Sequence, residues 1–306
     1  MLYRRVALLA LISFAILWAG KKKNPDDITQ TLELPKDPPM VAIGETSRLT
    51  FQVSPLSNKG LLSQQAREAL KAILKSNGGA PIIHIRAFVA GSGDLRRVPQ
   101  IVSEVLTEKK MPLPSVSVIQ AGMLPLEGAQ VVLEAVSEAR RPVNPDGLSF
   151  AAVREPASLD SAISATCYVS DARAALPAGG RLPTLAVDFV QPQRALSGKD
   201  ALCEGVLRGG NLRAAKLAFT GTQVAFGTDE KAASVAFQRI DRELSEAGVQ
   251  PSDIVITHIY PLSARIGELA QKVRAAAGAV SVVPFEGVAS IDGSFAVDAV
   301  AAVRQP

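Results

Sequence analysis

The chain has 306 residues, of which 47% are hydrophobic and 20% are charged, so it can hold about two or three domains and is too apolar to be disordered throughout. The formal net charge is +4, and much of the excess lies in basic residues near the start of the chain, Arg4, Arg5, Lys21, Lys22 and Lys23. Aromatic residues make up only 5%, and no basic stripe follows, so we expect no nucleic-acid partner.

The first segment, over 1–23, has the pattern of a targeting sequence. Arg4 and Arg5 precede an apolar run over 6–20, which is shorter than the roughly 17–25 residues of a spanning helix and fits a secretory signal. Lysines follow the apolar run directly, and the end of the run is a poor cleavage site for signal peptidase. The segment is therefore either a cleaved signal peptide or a retained short membrane anchor. The sequence therefore predicts an exported protein, periplasmic or anchored in the cell envelope, that contacts the membrane only through this segment.

Residues 24–40 are rich in proline and charge and are predicted to be a linker. A first unit follows over 41–140, in which strand alternation and amphipathic helical spacing occur in turn. The predicted elements are strand 48–54, helix 61–76, strand 81–90, helix 95–108, strand 115–120 and strand 130–135.

The same order returns over 211–306, which predicts an internal repeat. Its elements are strand 217–226, helix 230–247, strand 253–262, helix 266–276, and strands 280–284 and 295–300. The middle of the chain, over 141–210, is shorter and is predicted to be a third, truncated unit. Its elements are strand 147–150, at most a helix remnant over 158–165, and strands 165–171, 185–195 and 201–207. Two repeats joined by an irregular linker domain are the alternative.

Matching positions in the three units carry similar side chains. Aromatic residues recur on the third strands, and polar residues recur two positions earlier, so they point the same way. An acid recurs on each closing strand. We expect the polar residues to line a pocket or the packing between units. The acids fit hydrogen bonding between units or acid–base chemistry. The three sets are Phe88, Tyr168 and Tyr260; Arg86, Thr166 and His258; and Glu134, Glu204 and Asp298.

Short strings in this order resemble the Rid (reactive intermediate deaminase, YjgF-like) family, some members of which are labelled endoribonuclease L-PSP. The strings are FVAGSGDLRRVPQIVSEVL and PSVSVIQAGMLPLEGAQVVLEAV in the first unit, DALCEGV in the second, and AFTGTQV and DIVITHIYPLS in the third. The resemblance implies an α+β fold of chorismate-mutase-like units, each a mixed sheet packed on two helices. Such units form trimers with an inner barrel and ligand clefts at the junctions. Three units in one chain are then expected to form a monomeric pseudotrimeric barrel.

The resemblance also implies a chemistry, the hydrolysis of an enamine or imine to a keto acid and ammonia, with an arginine that clamps the substrate carboxylate. Val116, Leu185 and Val280 stand at the places of that arginine, and Val132, Leu202 and Ala296 at those of a family acid. We therefore expect a protein that binds a small metabolite in diverged clefts between units. One alternative is an enzyme, either an imine deaminase with a relocated cation such as Arg86 or Arg194 or another small-molecule hydrolase similar to the chorismate-hydrolysing members. The other is a membrane-tethered structural or partner-binding module.

The candidate ligand-cleft residues are Arg86, Gln120, Tyr168, Arg194, His258 and Tyr260. His84 and His258 fall at different repeat positions, so neither a metal site nor a cofactor is expected. Cys167 and Cys203 either pair, as suits an exported protein, or remain buried thiols.

Overall fold

The computed structural model describes residues 35–91, 94–159, 162–174, 186–192, 196, 199–210, 212, 214–274, 278–285, 287–288, 290 and 292–304. The predicted targeting segment and the predicted linker up to residue 34 therefore lie outside the described residues. The helices are α1 Leu62–Ser76, α2 Arg97–Glu108, α3 Glu230–Glu246 and α4 Ala264–Val273. The strands are β1 Val41–Glu45, β2 Leu49–Val53, β3 Ile82–Ala90, β4 Ser115–Ala121, β5 Val131–Glu138, β6 Leu148–Arg154, β7 Ala162–Val169, β8 Ala186–Val190, β9 Ala201–Arg208, β10 Lys216–Thr220, β11 Gln223–Phe226, β12 Ile254–Pro261, β13 Ala279–Val282, β14 Gly287–Val288 and β15 Gly293–Val303.

The N-terminal sheet has the strand order β14-β4-β3-β5-β2, and α1 and α2 cover one of its faces. Apolar residues recur at helical spacing along both helices, which gives each an apolar stripe. Leu70 of α1 and Ile101 of α2 pack with Ile85 and Leu133 of the sheet, and all four are fully buried.

The C-terminal sheet has the order β1-β10-β15-β12-β13, with β11 paired to β15. α3 begins at a capping aspartate, because the side chain of Asp229 accepts a hydrogen bond from the amide of Ala232 at 2.7 Å. Phe237 and Ile240 of α3 pack against Phe295 of β15. Each of these two sheets also has an edge strand from the other end of the chain. β1 pairs with β10 of the C-terminal sheet, and β14 pairs with β4 of the N-terminal sheet.

The middle sheet has the order β6-β9-β7-β8. In the described part of 147–210 no α-helix covers this sheet. A short 3₁₀-helix over Pro156–Leu159 packs against it instead. Cys167 and Cys203 lie directly opposite each other on β7 and β9 and form a disulfide bond. The two cysteines therefore pair, which decides between the two alternatives that the sequence left open.

The three sheets share one pairing pattern. In each, a central strand runs parallel to one neighbour and antiparallel to a closing strand. Each central strand also has a register shift at its start, between residues 82 and 84, 162 and 164, and 254 and 256. The fold is thus α+β, with three mixed sheets and four helices among the described residues.

Several boundaries differ from the sequence-based expectation. The strand expected over 217–226 is broken into β10 and β11, which pair with different parts of β15, and at the break the amide of Gly221 donates to the carbonyl oxygen of Met40. The helix remnant expected over 158–165 is a strand from Ala162 onward. The short strands β1 and β14 were missed, because each pairs with a strand that is distant in the sequence.

Candidate functional site

Polar side chains occupy matching register positions in the three sheets. The residue on each central strand pairs with an acid on the closing strand and lies beside a third polar residue on the parallel neighbour. In two of the sheets one face packs against helices, and in the middle sheet one face packs around the disulfide. Because side chains alternate along a strand, each polar set projects from the opposite face of its sheet. We call these nine residues the polar layer: Arg86, Glu134 and Ser117; Thr166, Glu204 and Asp188; and His258, Asp298 and Ser281.

Arg86 holds the polar layer together. Its Nε donates to Glu134 at 2.7 Å and its Nη2 donates to Thr166 Oγ1 at 2.5 Å. Its Nη1 pairs with Glu204 and donates to the hydroxyl of Tyr260 at 3.2 Å. Burial alone lowers the pKa of Arg86, but Glu134, Tyr260 and Glu204 outweigh it and raise that pKa well above its ordinary value. The guanidinium therefore joins all three sheets and is already bound to two carboxylates.

The other two acids accept hydrogen bonds from a neighbouring sheet. Ser117 donates to Asp298 at 2.7 Å, and Ser281 donates to Glu204. His258 Nδ1 lies 2.7 Å from Asp298. Burial raises the pKa of both carboxyl groups, but the facing cations outweigh it, so the pKa of each lies below its usual value. The predicted hydrogen bonding by the repeated acids is therefore present between the sheets.

Asp188 stands at the register position that serine occupies in the other two sheets. Its carboxyl group is buried, and its Oδ2 has no hydrogen-bond partner among the described residues. Burial, and then the charge of Glu134, raise the pKa of Asp188 well above its usual value, because a second anion there is costly. A protonated Asp188 supplies an O–H group, as Ser117 and Ser281 do.

An aromatic plug closes one side of the polar layer. The rings of Phe88, Tyr168 and Tyr260 surround Phe285, with centroids 5.6, 5.6 and 5.7 Å from that ring. All four side chains are fully buried. The candidates Tyr168 and Tyr260 thus lie within a packed core, where their hydroxyl groups contact Glu204 and Arg86.

A cavity reaches the polar layer from the other side. Its volume is about 80 Å³, below the roughly 300–1,000 Å³ of sites for drug-sized molecules, so it suits a very small ligand. Its walls come from matching positions of the three sheets: Phe51, Phe150 and Phe219, and Val136, Val206 and Val300. Its floor consists of Arg86, Glu134, Glu204, His258 and Asp298.

The pKa values of the two histidines are shifted in opposite directions. His84 lines the cavity, where its Nδ1 lies 2.9 Å from Ser115 Oγ and its ring stacks on Phe219 at 5.8 Å. Burial lowers the pKa of His84 to about 4, so it is neutral at pH 7. For His258, burial lowers the pKa, but Glu204 and Asp298 outweigh it and raise the pKa above 6.5.

The places that the resemblance assigns to a substrate-binding arginine are apolar and packed. Val116 packs against the core under α1 and α2, and Val280 packs against the core under α3 and α4. A Cβ atom on Gly221 would lie 2.9 Å from the carbonyl oxygen of Val116, so the two backbones are in close contact there. Leu185 and the candidate Arg194 lie outside the described residues.

The candidate Gln120 fills space at an edge of the N-terminal sheet. Its Nε2 donates to the carbonyl oxygen of Gly91 at 2.5 Å. It pairs with Gly287 of β14, and a Cβ atom on that glycine would lie 2.3 Å from Gln120 Oε1. Of the candidates that the structure describes, only Arg86 and His258 line the cavity.

Metal and membrane sites were also sought in the described part of the chain. No group of three or more histidine, cysteine, aspartate or glutamate side chains there is arranged to hold a metal ion. None of the helices described between residues 35 and 304 has the length and apolar character needed to cross a bilayer.

The chain is similar in structure to YjgF-family proteins. A family member from Mycobacterium tuberculosis is 24% identical, with a TM-score of 0.26 over 28% of this chain and 79% of that one. E. coli TdcF with bound serine is 19% identical, with a TM-score of 0.25 over 32% and 87%. A chorismatase is 14% identical, with a TM-score of 0.47 over 86% and 77%. No protein-family model and no curated protein matches the chain.

Sequence reasoning missed the fourth-strand members of the polar layer, Ser117, Asp188 and Ser281. The string Ser-Val-Ser over 115–117 and the string Val-Ser over 280–281 stand at matching places, so a repeat alignment of those strands would have indicated the two serines. The phenylalanine walls carry a similar signal, because Phe51, Phe150 and Phe219 each lie on the first strand of a predicted unit.

Proposed function

We propose that this protein is an exported, single-chain Rid-like pseudotrimer that binds a small molecule where its three units meet, without the deaminase chemistry of the family. The observation that carries the proposal is the cavity, whose walls and floor are contributed by matching positions of three sheets. The ligand site is then the cavity on the shared axis of the units rather than a cleft between two of them.

The pairing pattern supports three units over 41–140, 141–210 and 211–306. Each unit has a central strand with the same neighbours and the same register shift. Unrelated segments have no reason to share an irregularity of this kind, since bulges are features of particular folds. One chain then replaces the association of three subunits, and each unit is free to diverge.

The charges argue against imine hydrolysis. A bidentate clamp on a substrate carboxylate needs an arginine with free donors. Val116 and Val280 supply none, and the guanidinium of Arg86 already donates to Glu134, Glu204 and Thr166. A substrate carboxylate near Arg86 would also face the three acids of the floor. We expect no acceleration of ammonia release from enamine substrates by the purified protein.

The disulfide supports export, because such bonds persist in oxidising compartments and are rare in the cytosol. It lies beside the polar layer, since Thr166 and Cys167 are adjacent, as are Cys203 and Glu204. Together with the apolar run over 6–20, it favours the periplasm or cell envelope as the site of action.

Ligand binding is tested by screening a fragment library of neutral, cationic and anionic compounds against the purified protein by thermal shift and calorimetry. Val206→Met narrows the cavity at a wall position, and Val235→Met, at an exposed valine of α3, is the matched control. We expect fragments that raise the melting temperature of the wild type and of Val235→Met but not that of Val206→Met. A screen without such a fragment would contradict the proposal.

A further inference from the structure

The floor of the cavity carries more acid than base. Three carboxyl groups, those of Glu134, Glu204 and Asp298, face two groups that can be positive, Arg86 and His258. The remaining titratable group among the described lining residues is His84, which is neutral at pH 7. One negative charge is therefore left over even when His258 is protonated. A buried charge without a partner is costly, so a positive group in the cavity would be stabilised.

The excess charge is within reach of a ligand at Glu134. Its side chain is 16% exposed, whereas those of Glu204 and Asp298 are each 4% exposed. Arg86 does not cancel this acidity, because its guanidinium is shared between Glu134 and Glu204. Asp188, the polar-layer member with an unpartnered oxygen, adds no positive charge, so Arg86 and His258 are the cations that the layer holds.

The walls add a second feature that suits a cation. Phe51, Phe150 and Phe219 line the cavity at matching positions of the three sheets. The face of an aromatic ring carries negative potential, and ammonium groups bind over such faces within about 6 Å of the centroid. An aromatic wall above an acidic floor distinguishes organic cations from both metal ions and neutral molecules.

We propose that the cavity selects a small organic cation, an amine or a quaternary ammonium compound, with its charged group between the phenylalanine walls and Glu134. The inference rests on the proposed function and names the chemical class of its ligand. It differs from the carboxylate ligand that the family resemblance implies. An anionic ligand would meet the surplus acid, and among the described lining residues no lysine or further arginine would receive it.

The test compares three compounds of similar shape by calorimetry. They are the cation choline, its neutral isostere 3,3-dimethylbutan-1-ol, and the anion 3,3-dimethylbutanoate. Equal sodium chloride is added to each titration to match ionic strength. We expect choline to bind at least about fivefold more tightly than the neutral isostere, with no measurable binding of the anion. Val206→Met, which narrows the cavity, should abolish choline binding, which places the ligand in the cavity.

Two pairs of variants separate the cavity groups from the rest of the protein. Phe219→Leu and Glu134→Gln should each reduce the preference for choline at least about threefold. The controls are Phe226→Leu, an exposed phenylalanine, and Glu138→Gln, an acid on the same strand as Glu134 that pairs with Arg48 outside the cavity. Both controls should keep the wild-type preference. Phe219→Leu also keeps the test decisive if Glu134→Gln does not fold.

The failures of the two proposals are distinguishable. Equal or tighter binding of the neutral isostere or the anion, lost in Val206→Met, would overturn the cation inference and leave the proposed small-molecule function standing. Neutral or anionic hits in the fragment screen, with no cationic hit and no choline binding, would do the same. Failure of both the isostere series and the whole fragment library would overturn both.

Discussion

Arg86 and Glu204 form an ion pair between two sheets although 118 positions separate them in the sequence. The same guanidinium donates to Glu134 within its own sheet and to Thr166 in the middle sheet. The middle sheet has no α-helix among its described residues, so contacts with the other two sheets, including this ion pair and the hydrogen bond from Ser281 to Glu204, hold it in place. The pair therefore matters for the packing of the sheets against each other as well as for the charge of the cavity.

Arg86→Leu is expected to lower the free energy of unfolding by about 3–5 kcal/mol. The substitution leaves two buried carboxylates without their shared cation, and such a loss costs far more than the net value of the pair. Chemical denaturation of the purified variant and wild type at pH 7 measures the difference.

Arg67→Leu is the control for this experiment. Arg67 pairs with Glu104 on the surface, and its side chain is 40% exposed, so its loss should change the free energy of unfolding by less than about 1 kcal/mol. A change as small as this in Arg86→Leu would show that the three sheets are not joined through its guanidinium.

Asp188→Ser replaces the acid by the serine that the other two sheets carry, and is expected to stabilise the protein increasingly as the pH rises. The pKa of Asp188 is raised in the folded protein, so wild-type stability falls as the pH rises from the unfolded value near 3.8 through the folded value. The serine variant lacks this loss. Its advantage should grow by up to about 1.4 kcal/mol per pH unit within that window.

Denaturation of both proteins at several values between about pH 5 and pH 8 measures this difference. Ala264→Ser, at an exposed position, changes no titratable group, so its difference from wild type should not depend on pH. A flat difference for Asp188→Ser would mean that its carboxyl group is ionised in the folded protein across the range.

The polar layer shows what the sequence could and could not reveal. The matching places of Arg86, Thr166 and His258, and of the three acids, follow from counting along strands, and the register agrees with that count. The contacts between sheets do not follow from such counting. Which hydroxyl reaches which carboxylate depends on how the sheets pack, and the aromatic plug depends on Phe285, which lies beyond the end of a strand.

That the walls of the three sheets enclose one common cavity could not be predicted, for a similar reason. Phe150 and Val206 are ordinary strand residues when seen along the chain, and they become walls only because three sheets place the same positions around one space. The family resemblance predicted the ligand site in clefts between units, near the places of the family arginine. There Val116 and Val280 pack against the helices, as their apolar character demands.

His84→Phe is expected to remove a loss of stability in acid. The pKa of His84 is lowered to about 4 in the folded protein, so below the unfolded value of 6.5 the unfolded chain binds the proton first. Wild-type stability should therefore fall by up to about 1.4 kcal/mol per pH unit between those values. Phenylalanine keeps the ring that stacks on Phe219 and cannot titrate.

Denaturation of wild type and His84→Phe at pH 7, 6, 5 and about 4 tests this expectation. The free-energy difference between the two proteins should move in favour of the variant as the pH falls. His84→Gln, which also cannot titrate but lacks the ring, should show the same pH trend from a lower stability at pH 7. Parallel curves for all three proteins would show that His84 titrates as it does in the unfolded chain.

Loss of the disulfide is expected to lower the free energy of unfolding by about 3–4 kcal/mol, since the bond closes a loop with a sequence separation of 36. The double variant Cys167→Ala with Cys203→Ala measures this loss, and treatment of wild type with a reductant should approach the same value. The reductant should leave the double variant unchanged. Because the cysteines adjoin Thr166 and Glu204, the double variant should also weaken binding of any cavity ligand. If the folded double variant bound a cavity ligand with the same affinity as the wild type, the disulfide would stabilise the chain without holding the polar layer in place.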